Sequence, residues 1–190
     1  MIINRDTYSL HSLFGPRLDR TLVRFRRITG LDLRAYETWR SPLRQEAEYE
    51  LGRTKLGPRP SAERPMGGCV TWAKPWHSLH QFGLAADLVF FVDGKWSWEE
   101  PEPGAYARLH AIAKKEGLTP LYNRKGQLIE QGHLQLASVT ADELLAGCNY
   151  DDTDAWSDQL MAYLHDWAAA GNSGGPPAPI QRPEALAEAS

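Results

Sequence analysis

Three side chains of this 190-residue chain combine zinc-ligand chemistry with informative surroundings: His80, Asp87 and His133. A catalytic zinc takes three nitrogen or oxygen ligands and leaves a fourth position to water, and two histidines with one carboxylate are a common set. Asp87 lies within Leu84-Ala85-Ala86-Asp87-Leu88-Val89-Phe90-Phe91, an otherwise apolar run. A carboxylate there is costly to bury unless a cation or several donors compensate it. A metal would do so; so would backbone or arginine hydrogen bonds to a strand-face aspartate. Gly83, between His80 and Asp87, lets the chain turn so that both can face one point. Glu130 stands three residues before His133, within reach of a water on the same metal, where a general base for metal-assisted hydrolysis belongs. His11, His77, His110 and His165 have no second ligand at a useful offset and read as surface or satisfied core residues. Cys69 has no paired base and is not read as a nucleophile.

The elements that must position these groups follow from periodicity. Gly15-Pro16 opens a helix with Leu18, Leu22, Phe25 and Ile28 on one face, closed by Gly30. Leu31, Leu33 and Ala35 alternate with polar residues as in a half-buried strand. Ser41-Pro42 caps and starts a second helix that runs to about Leu51 and stops at Gly52. Residues 52–77, rich in proline and glycine, form a long loop of the kind that is usually functional or disordered. Leu84 to Val92 reads as a strand, Asp93-Gly94 as its turn and Lys95 to Trp98 as the return. A helix over 104–116 is followed by short strands at 118–122 and 133–136 around an Asn123–Gly126 turn. Thr140 caps a short helix and Asp154 a longer one to Ala170, which leaves Gly171–Ser190 as a flexible Gly/Pro/Ala-rich tail. Helices alternating with antiparallel strands indicate an α+β fold, with residues 1–170 as one domain.

Composition narrows the class. Hydrophobic residues at 42% and charged residues at 24% are globular values. No apolar run approaches the ~20 residues that span a bilayer. Asn4, Arg5 and Asp6 fall where a signal peptide needs its apolar core, so a protein made in the cytoplasm is expected. Cys69 and Cys148 are too few for a disulfide scaffold. The net charge of −3 makes no case for nucleic acid, although residues 1–64 carry +5 and the remainder −8. Arg17, Arg20, Arg24, Arg26 and Arg27 read as a solvated helix face that could attract an anionic polymer. Trp72 and Trp76, in the loop entering the His80 segment, are expected to flank a cleft, and Trp156 and Trp167 to pack in the last helix.

Three segments in order carry a resemblance. Ser78-Leu79-His80-Gln81-Phe82-Gly83-Leu84-Ala85-Ala86-Asp87 fits S-x-H-x-x-G-x-A-x-D, and Glu130-Gln131-Gly132-His133 fits an acidic-x-x-His half. Glu37-Thr38-Trp39-Arg40-Ser41-Pro42-Leu43-Arg44-Gln45 is similar to E-x-x-R-S-x-x-R-Q, with Gly52-Arg53-Thr54 as the following turn. Together, over about residues 30–137, they resemble the zinc D-alanyl-D-alanine peptidases, which include vancomycin-resistance carboxypeptidases and dipeptidases and phage L-alanyl-D-glutamate endolysins. The resemblance implies a small antiparallel sheet flanked by helices (a hedgehog-like fold) with Zn2+ at the sheet. Its ligands would be His80, Asp87 and His133, its base and proton donor Glu130, its oxyanion contact Arg40, and its substrate-side residues Ser78 and Gln45. A structural ion pair of Arg40 with Glu37 or Glu46 is the competing reading of that arginine. Ile129 to Leu134 lacks the tryptophan and proline common around the second histidine in relatives, which implies a different substrate wall.

The activity implied is hydrolysis of the peptidoglycan stem peptide by a monomer with no nucleic-acid or membrane partner. The missing signal peptide favours a phage or prophage endolysin of the L-alanyl-D-glutamate type, released by a holin-type route. A D-alanyl-D-alanine carboxypeptidase or dipeptidase is the alternative within the same chemistry, and a non-catalytic wall-binding or virion protein the alternative of another class.

Overall fold

The computed structural model describes residues 3–11, 13–137 and 139–145. Cys148, His165, the helix expected from Asp154 with Trp156 and Trp167, and the tail from Gly171 lie outside these residues, so the expected boundary at residue 170 does too. None of the described helices is long and apolar enough to cross a membrane.

The chain begins with a 3-10 turn, Thr7–Ser9, capped by the Asp6 carboxylate, which accepts from the Tyr8 amide at 2.9 Å. Helix α1 spans Gly15–Thr29 and ends on Gly30 at φ 73°, a left-handed cap that glycine adopts without a Cβ clash. Gly15, Leu18, Thr21 and Phe25 are its buried residues. Leu22 packs only partly against the core, and Ile28, expected on the same face, is 59% exposed. Thr21 takes the intervening core position because its hydroxyl donates to the Arg17 carbonyl at 2.8 Å and needs no water.

Strands β1 (Leu33–Glu37), β2 (Ala85–Val92), β3 (Lys95–Ser97), β4 (Leu118–Tyr122) and β5 (Leu128–Leu136) form one sheet in the order β1-β2-β5-β4, with β3 on β2. Every pairing is antiparallel. Asp93 and Gly94 both have positive φ, which suits the two-residue hairpin between β2 and β3. Helix α2 (Pro42–Glu50) starts where Ser41 accepts the Arg44 amide at 3.1 Å. Helix α3 (Ala105–Lys115) packs on α1 and β4, and α4 is the single turn Ala141–Leu145. Phe90 of β2 meets Phe25 of α1 and Tyr106 of α3 at ring-centroid distances of 6.3 and 4.9 Å. These rings, with Leu88, Leu109 and Leu134, centre the core on β2.

Strand β5 begins five residues earlier than expected. The Leu128–Gly132 stretch lacks an apolar period, yet backbone pairing with β4 extends it. Its register is irregular. Thr119 pairs with Gln135 and Leu121 with Glu130, so two steps along β4 match five along β5. Within that irregularity Gly132 lies so close to β2 that a Cβ would come 2.4 Å from the Leu88 carbonyl oxygen.

Residues 52–77 form an ordered loop. The Gly57 amide donates to the Met66 carbonyl and the Gly68 amide to the Pro58 carbonyl, both at 2.8 Å. The backbone is packed so closely that a Cβ on Gly57 would lie 2.2 Å from the Gly68 oxygen.

Candidate metal centre

A 3-10 helix, Leu79–Phe82, carries His80 to the edge of the sheet. Ser78 caps it in a reciprocal box with Gln81, and Gly83 at φ 66° turns the chain into β2. Asp87 and His133 are direct partners in the β2–β5 ladder, so two of the three candidate ligands are fixed by strand register. The alternation of β2 sends Leu88 to the core and Asp87 to the other face. The three side chains are buried, and one potential ligand atom from each lies within 4.8 Å of the others.

Both rings converge on one oxygen. His80 Nε2 lies 3.2 Å and His133 Nδ1 3.0 Å from Asp87 Oδ1. Behind them, His80 Nδ1 contacts the Thr38 carbonyl at 2.7 Å and His133 Nε2 contacts Gln135 Oε1 at 3.1 Å. An acceptor behind each ring places the ring proton there and leaves a lone pair toward the common point, which is how metal-binding histidines are held. The donor set therefore fits a divalent metal of zinc type. Burial works to raise the Asp87 carboxyl, but the adjacent His80 and His133 outweigh it and hold the group well below the carboxylate range. His133, although buried, is raised by its bond to Asp87.

Glu130 lines the same cleft, whose volume is about 500 Å³, and burial together with the Asp87 charge raises its carboxyl above the ordinary range. Residues three apart on a regular strand face opposite sides. The β5 irregularity lets Glu130 and His133 share one cleft.

Arg40 stands behind Asp87. Its Nε and Nη2 donate to Glu37 at 2.9 and 2.6 Å, and Nη2 also donates to Asp87 Oδ2 at 2.9 Å. Nη1 donates to Gln45 at 3.1 Å and pairs with Glu48 at 3.0 Å. The guanidinium thus makes four hydrogen bonds and a further ion pair with Glu48. Burial disfavours the cation, but Asp87, Glu37 and Glu48 outweigh it and keep Arg40 charged. The ion pairs are with Glu37, Glu48 and Asp87, not Glu46. An oxyanion contact from Arg40 would compete with these pairs.

Ser78 lines the cleft. Gln45 does not: it is fully buried behind it. Its oxygen accepts from Arg40 and Gln81, and its amide donates to Thr71 and the Ala73 carbonyl. Gln45 thus ties Arg40 and the 3-10 helix to the loop. Trp72 lines the cleft and is 79% exposed, whereas Trp76, expected beside it, is buried against Phe82 with rings 5.9 Å apart. Of the remaining histidines, His11 accepts the Leu13 amide, His110 contacts the Gln131 carbonyl, and His77 pairs with Asp142 at 2.8 Å. Cys69 is half-buried beside the Gly52 carbonyl, and the described residues place no base against it. Thr38 and Gln135 escaped the sequence reading. A backbone acceptor has no side-chain signature, and only the period-2 spacing of Gln135 from His133 hinted at a shared face.

No protein-family model and no curated protein matches the sequence. Solved structures do. The vancomycin-resistance D,D-pentapeptidase VanY from a VanB-type cassette, in complex with Zn(II), aligns with a TM-score of 0.50 at 16% identity, covering 84% of this chain and 83% of its own. VanYB in complex with D-alanine-D-alanine aligns with a TM-score of 0.50 at 20% identity, over 82% of each chain. The chain has the D-alanyl-D-alanine peptidase fold. In this fold the β2–β5 ladder and the helix before β2 hold the His80, Asp87 and His133 group at the sheet.

Proposed function

We propose that this chain is a zinc-dependent peptidase that hydrolyses the stem peptide of bacterial peptidoglycan. The observation that carries the reading is the convergence of His80 Nε2, Asp87 Oδ1 and His133 Nδ1 on one buried point of a cleft that also contains Glu130. The likeness to VanY with Zn(II) supports the choice of metal and of substrate class. Zinc held there would supply Lewis acidity and a water whose pKa is lowered to about 7.

The protein's own residues do the rest. Glu130, raised by burial, takes the proton of the attacking water and returns it to the leaving amine. Arg40 holds Asp87 through Oδ2, which leaves Oδ1 for the metal. Thr38 and Gln135 hold the two rings in their ligating orientation. Ser78 and Trp72 line the approach.

For the bond cut, the first reading is L-alanyl-D-glutamate, as in an endolysin. The second is a D-alanyl-D-alanine bond, which the likeness to VanYB in complex with D-alanine-D-alanine favours. Purified protein with zinc is incubated with cell walls and the new termini are identified by mass spectrometry. New alanyl carboxyl and glutamyl amino termini support the endopeptidase, and free D-alanine supports the carboxypeptidase. Termini unchanged between wild type and Glu130→Ala would sink the peptidase reading.

A further inference from the structure

On the sheet side of the cleft, β1 and the segment around β3 gather aromatic rings that the metal site does not use. Tyr36 packs edge-on against Trp96 and Trp98, with ring centroids 5.4 and 5.1 Å apart. Trp96 meets Phe91 in the same manner at 5.4 Å. Tyr36 and Trp98 line the cleft that contains His80, Asp87 and His133, and Trp98 is 51% exposed. The Arg5 guanidinium packs over the Tyr36 and Trp96 rings, 4.9 and 5.3 Å from their centroids, and braces the group from that side. Indole and phenol rings have few rotatable bonds, and rings braced against one another lose little freedom when a ligand covers them.

We propose that Trp98, braced by Tyr36, is a stacking subsite for a pyranose ring: an N-acetylated amino sugar of the glycan strand that carries the stem peptide. The proposal rests on the peptidoglycan-peptidase reading above and names a second part of the substrate. The chemistry selects the sugar over the peptide. Alanines, a glutamate and a diamino acid offer no broad apolar face to an indole. A pyranose ring presents C–H groups on one face and hydroxyl and acetamide groups around its rim. The face matches the half-exposed ring of Trp98, which lines the cleft. The subsite is continuous with the cleft, as a sugar joined to the scissile peptide requires.

The probe is a soluble N-acetylglucosamine tetrasaccharide titrated into the full-length chain, read by the indole N–H resonances. In parallel, kinetics are compared on the free stem peptide and on the same peptide attached to its disaccharide. Saturable movement of the Trp98 resonance is expected in the wild type. Trp98→Ala should abolish it and raise KM for the disaccharide-peptide roughly tenfold, about 1.4 kcal/mol of lost binding, with a much smaller change on the free peptide. Trp98→Phe, which keeps a flat ring, should restore part of the loss. No Trp98 response to the saccharide, or an equal loss on both substrates in Trp98→Ala, would overturn the subsite. A wild type that binds the saccharide at Trp98 but cleaves neither substrate supports the subsite and overturns the peptidase reading instead.

Discussion

Each candidate ligand of the metal centre has a second contact that fixes its orientation, whereas among the described residues no side-chain hydrogen bond fixes Glu130. It is instead a partly buried carboxyl raised by burial and by the charge of Asp87. A carboxyl whose folded value exceeds its unfolded value binds protons that the unfolded chain has already released. Stability therefore falls as pH rises from the unfolded value to the folded one, and stays lower above it. Glu130→Gln removes that penalty. In chelator, its melting temperature should exceed the wild type's at neutral pH, and the difference should close below about pH 4. The same variant should keep its metal and lose about 10²–10⁴-fold in hydrolysis. Gln135 permits a separate test, because its side chain contacts His133 Nε2, the ring nitrogen turned away from Asp87. Gln135→Leu frees the ring and should weaken zinc about 10–100-fold in a chelator-dye competition, with the fold intact by circular dichroism. At this scale the sequence was informative about identity. Asp87 in an apolar run and Glu130 before His133 are visible as residue types at a spacing. The roles of Arg40 and Gln45 were not, because they depend on how many donors and acceptors remain free after folding. Arg40 hydrogen-bonds to Glu37, Asp87 and Gln45 and forms a further ion pair with Glu48.

Among the elements, β5 decides the site. Its irregular register brings Glu130 and His133, three residues apart, to one cleft, and Gly132 makes that path sterically open. A Cβ there would meet the Leu88 carbonyl oxygen at 2.4 Å and the Tyr106 hydroxyl at 3.5 Å. A backbone atom in the centre of a sheet cannot yield as a side chain can. Gly132→Ala should therefore destabilise the fold by about 1–3 kcal/mol, seen as a lower denaturant midpoint, and should separate Glu130 from the metal centre so that activity falls more than stability does. The helices and the hairpin were largely legible, because caps and turns are local chemistry: Ser41 before Pro42, Gly30 after α1, Asp93-Gly94 between strands. The first half of β5 was not. Its residues show no alternation of apolar and polar side chains, and only pairing with β4 makes them a strand.

For the whole molecule, the metal centre joins parts of the chain far apart in sequence: the segment just after β1 through Thr38, the 3-10 helix through His80, β2 through Asp87 and β5 through His133. A metal that binds only when these are assembled stabilises the folded state by mass action. Zinc at a hundredfold excess over its dissociation constant should add about 2.7 kcal/mol. For a chain of this size that raises the melting temperature by about 5–10 °C, reversibly in chelator. His80→Ala should show no such shift.

The sequence by itself determined the α+β class, the main helices and the hairpin, because these follow from local periodicity and turn chemistry, and it singled out His80, Asp87, His133 and Glu130 as candidates by residue type and motif. Only the tertiary structure decided which groups stand behind the ligands, that Trp76 packs inside while Trp72 stays outside, and that Tyr36 and Trp98 meet at the cleft. The physical reason is that hydrogen-bond capacity and exposure belong to neighbours brought together by folding. A residue's type sets what it can donate or accept, and the packed chain sets how much of that remains for a ligand.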